Sequence, residues 1–293
     1  MYLLFYTQPD DLVVGALAKL PELSNERVVL CDVKKFLDEV EVNDEIIDGK
    51  AIIRWTFADG SLISSEDDVK VINRCGFLAS ENFADFQSED KDYAASETHA
   101  YLGFAFNSFR KCFNRPNADG NGIKDQARLI QWTRVKRIFT EIDCPNYFLG
   151  PYRFSPIDLS GYIVHPCDGS INDQNAKNDD WLGHKPADSN SIVFAYEKIE
   201  GATLTVNRVG DAVFWGWGVS GSDVQEQVKE LAFKNTALIL DAFGVDIGSV
   251  YWTVGPNGKL TFQYASSWLS YSEGANEMIR DGIENYFKPE SLN

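Results

Sequence analysis

Charged residues that could do chemistry are concentrated around a break between two apolar segments in residues 192–214 (IVFAYEKIEGATLTVNRVGDAVF). Glu197, Lys198 and Glu200 interrupt the first segment, and a Gly-Asp pair interrupts the second. Short apolar runs separated by Gly and Asp turns predict antiparallel strands. A carboxylate at such a strand end either contacts a ligand or is an ordinary exposed group.

The histidines and cysteines predict no metal centre. The three histidines (His99, His165 and His184) lack zinc-ligand spacing, and a strand would point His165 and Cys167 to one face without further ligands. The five cysteines are unevenly spaced without a CxxC pair, which predicts free thiols in a reducing compartment. GxSxG and Walker A motifs are absent. The WGWG segment at 215–218 is either a stacking platform or, as we favour, core packing.

Composition and charge limit the classes of partner. The chain has 293 residues, 44% of them hydrophobic, which is enough for two or three subdomains around one cleft. The formal net charge of −17 counts against nucleic acid and anionic membranes as partners. The first apolar run, in MYLLFYTQPDD, is too short for a signal or transmembrane segment, so we expect a cytoplasmic protein.

The elements that must position these residues follow from hydrophobic periodicity. The first 75 residues predict alternating strands and short helices, with Asp10-Asp11 capping a helix and Asp59-Gly60 turning a hairpin, as in a small α/β domain with a mixed sheet. Residues 93–113 predict one long helix, and residues 124–138 a second helix with a basic face. Residues 225–243 and 276–287 predict helices that flank strands at 250–254 and 260–264.

Four motifs occur in a characteristic order. They are a Y..SE..A helix followed by NRP at 93–116, a lysine-led helix ending in CP at 124–145, the strand and loop YIVHPCDGS at 162–170, and residues 192–214. This order resembles the ATP-grasp superfamily, and most closely its microviridin-type and RimK-like ligases that modify peptides. The resemblance implies an α/β fold with α+β subdomains. Its parts are an N-terminal pre-ATP-grasp α/β domain (1–116), a central subdomain (117–190) and a C-terminal subdomain (191–293) around a cleft.

The resemblance also implies a nucleotide site. ATP-grasp ligases use ATP and Mg²⁺ to activate a carboxylate as an acyl phosphate, which an amine or similar nucleophile attacks. Lys124 matches the lysine that reaches the nucleotide, and His165 stands where a second phosphate-binding lysine is expected. Glu197 matches the hinge position beside adenine, and Lys198 and Glu200 follow in the same segment. The competing interpretations are a surface lysine for Lys124 and an ordinary strand-end carboxylate for Glu197.

The sequence departs from this pattern at the phosphates. A neutral imidazole at His165 replaces a fixed ammonium poorly. The following loop, 168–180, has one glycine and four aspartates, whereas a phosphate cradle uses bare backbone N–H groups. Thr203 and Thr205 stand where the hairpin motif G.D.RV places Asp and Arg.

The residues at the expected magnesium-binding positions also differ from the ATP-grasp pattern. Counting back from the PNG turn, the first acidic ligand falls on Tyr251. The ligand pair of the E.NP motif falls on Tyr264 and Ser266 or, one residue earlier, on Gln263 and Ala265. Neither register provides a carboxylate, so we predict no metal ligands among these residues.

Two functions follow from this combination. The first is an ATP-grasp protein with a degraded nucleotide and metal site that acts as a binding, scaffold or regulatory partner in a peptide-modifying pathway. The alternative is an active ATP-dependent ligase acting on a peptide, with Lys124, His165 and Lys185 as cations and Asp168 or Asp173 holding magnesium. In both, a peptide or protein is the partner, and the family implies a possible homodimer. An α/β protein unrelated to ATP-grasp remains a third interpretation.

Overall fold

The computed structural model describes residues 1–20, 27–76, 78–117, 126–155, 158–167, 188–216 and 224–287. The helices are α1 (Leu12–Ala18), α2 (Val33–Glu39), α3 (Lys91–Ser108), α4 (Arg128–Ile138), α5 (Glu226–Phe243) and α6 (Ala275–Tyr286). The first strands are β1 (Tyr2–Tyr6), β2 (Val28–Asp32), β3 (Val40–Val42), β4 (Glu45–Ile47), β5 (Lys50–Ile52), β6 (Arg54–Phe57), β7 (Leu62–Ser64), β8 (Lys70–Arg74) and β9 (Lys111–Phe113). The remaining strands are β10 (Tyr147–Pro151), β11 (Tyr162–Pro166), β12 (Ile192–Glu197), β13 (Ala202–Val209), β14 (Ala212–Trp215), β15 (Ile247–Val254) and β16 (Leu260–Ser266). In these parts of the chain, no helix has the length and apolar character needed to cross a membrane.

The N-terminal sheet is parallel and buried on both faces. Its strand order is β2-β1-β8-β9, and every neighbouring pair is parallel. Leu3 and Phe5 face one core and Tyr2 and Leu4 the other, because side chains alternate along a strand. The predicted mixed sheet is therefore wrong, since the antiparallel strands form separate sheets, β3-β6-β7 and β4-β5.

The predicted helix at 93–113 ends early. Helix α3 stops at Ser108, and Lys111–Phe113 forms β9, which pairs with β8. The guanidinium of Arg115 donates hydrogen bonds to the carbonyls of Asn107 and Phe109 at the end of the helix. Burial of Cys112 and Phe113 in the N-terminal sheet outweighs the local helix pattern.

Two further antiparallel sheets occur in the described residues after β9. One has the order β10-β12-β11 and the other β14-β13-β15-β16. The predicted hairpin around Gly210 is confirmed as β13–β14, with Gly210 at a φ of 58°. Strand β12 pairs with β10 and β11 rather than with β13, so residues 198–201 pass from one sheet to the other. The sheet containing β12 spans the expected limit at 190/191, and the domain limits at 116/117 and 190/191 stay predictions.

Hydrogen bonds join the end of β9 to the start of β15. The Asn114 side chain accepts from the backbone N–H groups of Asp246 and Ile247 at 2.9 and 2.8 Å. In return, the backbone N–H of Asn114 donates to the Asp246 carboxylate at 2.7 Å. The N-terminal sheet and the β14-β13-β15-β16 sheet are thereby fixed to each other.

Candidate functional site

The strand register places His165 and Glu197 on opposite faces of the β10-β12-β11 sheet. His165 lies opposite Phe194, and Tyr162 lies opposite Glu197. Positions 162 and 165 are three residues apart on one strand, so their side chains and those of their cross-strand partners face opposite sides. The structure therefore does not bring these two predicted nucleotide-contacting residues together on one face.

Glu197, at the end of β12, is hydrogen-bonded to the residue that precedes β10. Its carboxylate accepts a hydrogen bond from the side-chain amide of Asn146 at 2.8 Å, and its backbone N–H donates to the Asn146 carbonyl at 2.8 Å. The backbone N–H of Lys198 donates to Gly161, and Glu200 is exposed. The placement of Glu197, Lys198 and Glu200 beside a nucleotide stays a prediction.

His165 lies against an aromatic ring and near a cation. Its ring stacks with that of Tyr196, with centroids 5.8 Å apart and an interplanar angle of 21°. Burial lowers the pKa of His165 below its usual value, and the positive charge of Arg128 lowers this pKa further. The imidazole is therefore neutral at pH 7 and does not supply the fixed charge of a phosphate-binding lysine.

Helix α4 is docked on the edge strand β16, which positions Arg128. The side-chain amide of Gln131 accepts from the backbone N–H of Ala265 at 2.7 Å and donates to its carbonyl at 3.1 Å. The fully buried Trp132 donates its indole N–H to the carbonyl of Gln263 at 2.7 Å. Arg128 is the first residue of the helix, and its guanidinium contacts Tyr196 of β12 and Tyr264 of β16, in the space between these strands that we call the cleft.

A stacked tyrosine pair occupies the expected magnesium positions. Tyr251 and Tyr264 are cross-strand partners on β15 and β16, with ring centroids 4.1 Å apart and an interplanar angle of 13°. Burial, and then the neighbouring Tyr251, raise the pKa of Tyr264 to about 12, so this phenol is neutral. The Arg128 guanidinium lies 4.9 Å from the Tyr264 ring and donates to the Tyr196 hydroxyl at 3.3 Å.

The remaining expected magnesium positions do not fit the ion either. The backbone groups of Gln263 and Ala265 bind helix α4, and the Ser266 hydroxyl accepts from the backbone N–H of Trp268 at 3.1 Å. Thr205, at the arginine position of the hairpin motif, is buried. Across the described ranges, no group of three or more His, Cys, Asp and Glu side chains could hold a metal ion. Since magnesium prefers charged oxygen ligands, a neutral aromatic pair beside a guanidinium is a poor site for it.

Several predicted residues lie outside the described parts of the chain. They are Lys124, Asp168, Asp173, His184, Lys185, Trp217 and Gly218. Their predicted roles stay predictions. Of the WGWG segment, Trp215 is described, and it packs against Phe233 of α5 with ring centroids 4.6 Å apart.

Arg128 is the site residue that the sequence interpretation missed. It belongs to the basic helix that was recognised, but periodicity does not reveal which of its cations enters the cleft. The available signal was the pair of tyrosines at positions where carboxylates were expected, because the face of a tyrosine ring attracts a cation.

Solved structures identify the fold, although no protein-family model and no curated protein matches the sequence. Macrocyclase MdnC from Microcystis aeruginosa MRC, bound with precursor peptide MdnA, matches at 13% identity with a TM-score of 0.63, covering 90% of each chain. The chain has the ATP-grasp fold. A Chryseobacterium gregarium RiPP-associated ATP-grasp ligase, in complex with ADP and a leader and core peptide, matches at 13% identity with a TM-score of 0.66, covering 97% of this chain and 96% of that chain. The RimK domain ATP-grasp protein of Sphaerobacter thermophilus DSM 20745 matches at 12% identity with a TM-score of 0.56, covering 98% of this chain and 99% of that chain. The ATP-grasp likeness therefore extends over nearly the whole length of the chain.

Replacing Arg128 by glutamine is expected to raise the pKa of His165. The substitution removes the positive charge that disfavours the imidazolium, while burial still holds the pKa below its ordinary value. An NMR titration of the histidine ring protons measures the change, with His165→Gln assigning the resonance. Arg137→Gln, which removes an exposed cation from the same helix, is the matched control and should leave the titration unchanged. An unchanged pKa in the Arg128 variant would contradict the placement of this guanidinium.

Proposed function

We propose that this chain is an ATP-grasp protein with a degraded nucleotide and metal site, and that it acts as a binding, scaffold or regulatory partner in a peptide-modifying pathway. One observation carries the proposal. The positions expected to hold magnesium carry the stacked rings of Tyr251 and Tyr264, and the guanidinium of Arg128 lies over the second ring.

The charges of the site support this proposal. Phosphoryl transfer needs cations at the phosphates, and magnesium needs carboxylate oxygens to hold it. A guanidinium at Tyr264 repels a divalent cation, and the neutral Tyr264 phenol supplies no compensating negative charge. His165 is neutral, so it does not replace the missing ammonium.

The peptide part of the proposal is supported by the fold neighbours. MdnC was solved with a bound precursor peptide, and the Chryseobacterium gregarium ligase with a leader and core peptide. The ligase PsnB was likewise solved with a minimal precursor, Mg and ADP, at 13% identity and a TM-score of 0.63. We infer that this chain retains peptide recognition as its task, without the ATP-dependent step.

Magnesium and ATP are expected to leave the unfolding temperature of this protein unchanged. A ligand present at 100 times its Kd stabilises a protein by about 2.7 kcal/mol, so binding in the millimolar range would be visible as a thermal shift. The measurement is thermal unfolding with millimolar Mg-ATP and with a non-hydrolysable analogue, accompanied by calorimetry. Magnesium alone is the control for nonspecific ion effects on this acidic chain.

A different result would favour the alternative, an active ligase with a rewired phosphate site. Magnesium-dependent ATP turnover coupled to modification of a peptide, and lost in Lys124→Ala, would overturn the proposal.

A peptide that binds this protein should bind equally well with and without Mg-ATP. Dependence of peptide binding on the nucleotide would contradict the loss of nucleotide recognition.

A further inference from the structure

A cavity of about 710 Å³ opens at the amino ends of β8 and β9, beside the end of α6. Four cationic side chains line it (Lys70, Arg110, Lys111 and Arg115), whereas Asp68 is the one carboxylate among its described lining residues. The whole chain carries a formal net charge of −17, so this cavity, which we call the basic pocket, reverses the sign of its surroundings. None of its described lining residues belongs to the cleft around Arg128.

Three of the four cations of the basic pocket are held by contacts with neighbouring groups. Lys111 opens β9, and its ammonium lies 2.6 Å from the Asp68 carboxylate. Lys70 opens β8, and its ammonium lies 4.5 Å from the centre of the Tyr2 ring. Arg115 is tied to the carbonyls at the end of α3. Because these side chains are held in place before binding, a ligand orders few additional groups.

One wall of the pocket is aromatic and uncharged. The ring of Tyr286 is 40% exposed and stacks on Phe113, with centroids 4.0 Å apart. Burial, and then the neighbouring Asp246, raise the pKa of Tyr286 to about 12, so its hydroxyl remains protonated and adds no negative charge. Arg110 is exposed, where its guanidinium can reach a ligand.

Cations held together in a concave surface attract anions. A cleft lined by one sign of charge concentrates counter-ions of the other sign, and this one contains four cations against one carboxylate. Small-molecule sites occupy roughly 300–1,000 Å³, a range that includes this cavity. Two lysines and two arginines match the oxygens of phosphate and carboxylate groups. We propose that the basic pocket binds a small molecule carrying two or more negative charges.

Calorimetry with the full chain tests this proposal, using pyrophosphate and citrate as probes for the phosphorylated and the polycarboxylate sources of such a ligand. Each probe is titrated at constant ionic strength into the wild type, Arg110→Glu and Lys111→Gln. We expect at least one probe to bind and each variant to weaken binding about tenfold, as expected for the loss of one charge-assisted contact. The probe that binds with the lower Kd shows whether the ligand is a phosphorylated compound or a polycarboxylate. Raising the salt concentration should weaken binding further.

Two control variants separate the basic pocket from other cationic sites. Arg137→Gln removes one exposed positive charge from α4 and should bind as the wild type does. Arg128→Gln changes the cleft and should also leave binding unchanged, so the result is independent of the proposed loss of ATP binding. Unfolding temperatures of all variants check that they are folded, and Arg110 is an exposed residue whose replacement should not unfold the chain.

Three outcomes would overturn the assignment. The first is that neither probe binds the wild type. The second is that binding is equal in the wild type, Arg110→Glu and Lys111→Gln, or is lost in Arg128→Gln. The third is that a hexaglutamate peptide binds the basic pocket more tightly than both small anions, because that would assign the pocket to an acidic peptide segment.

Discussion

Replacement of Asp11 by asparagine is expected to lower the free energy of unfolding by about 3–5 kcal/mol, the range for a buried ion pair that loses one charge. The Asp11 carboxylate lies 2.8 Å from the Arg74 guanidinium, and the two side chains are 1% and 2% exposed. Removal of the carboxylate charge leaves the guanidinium buried without its counter-ion, which is far more costly than the loss of an exposed pair.

The position of Arg74 extends this effect beyond the N-terminal sheet. Its guanidinium also donates to the carbonyls of Ile247 and Ser267, so it joins the carboxyl end of β8 to the β14-β13-β15-β16 sheet. Asparagine can still accept the hydrogen bond from the backbone N–H of Val13 that caps α1. The variant therefore removes the charge while keeping the helix cap.

Denaturant unfolding followed by circular dichroism measures the change. The matched control is Asp68→Asn, which breaks the pair of Asp68 and Lys111, a pair of equal charge whose Asp68 side chain is 72% exposed. Its expected effect is below about 1 kcal/mol, because solvent screens an exposed pair. Equal losses of stability in the two variants would show that burial of the Asp11 pair is not what matters.

Replacement of Gly201 by alanine is expected to lower the free energy of unfolding by about 3 kcal/mol, at the upper end of overpacking effects. Gly201 has a φ of 151°, which side-chain-bearing residues rarely adopt. An added Cβ would also lie 2.1 Å from the carbonyl oxygen of Val254, closer than any nonbonded contact. The strand β15 and its partners hold that carbonyl in place, so the clash cannot relax cheaply.

The same substitution tests the link between the two sheets of the site. Gly201 lies between β12 and β13, where the chain passes from the β10-β12-β11 sheet to the β14-β13-β15-β16 sheet. Differential scanning calorimetry measures the loss of stability. Gly15→Ala is the control, because its Cβ would meet open space within α1 and should stabilise the protein by about 0.5–1 kcal/mol. A Gly201 variant as stable as the wild type would contradict the close approach to Val254.

Much of the local structure could be predicted because short-range patterns determine it. The capping of α1 by Asp11 follows from a side chain that reaches the second backbone N–H, and the turn at Gly60 from a φ of 76° that favours glycine. Strand β9 could not be predicted in this way, since its residues continue a helical pattern. Their pairing with β8 depends on a strand about 40 residues earlier in the chain.

The candidate site could likewise be predicted only in part from the sequence. The residue types at the expected magnesium positions were visible in the sequence, and they already argued against a metal site at Tyr251 and Tyr264. The sequence did not show that these rings stack, or that Arg128 lies over one of them. Those contacts require β15 and β16 to pair and α4 to dock on the edge of β16 through Gln131.

The sequence by itself determined many of the helices and turns, the acidic character of the chain and the absence of carboxylates from the motif positions. These properties depend on residue identity and on spacing along one chain. The tertiary structure decided that His165 and Glu197 lie on opposite faces of a sheet and that Arg128 lies beside Tyr264. It also decided that Lys70, Lys111 and Arg115 line one cavity. Each of these brings together residues from different elements, and only the packing of those elements fixes the distances between them.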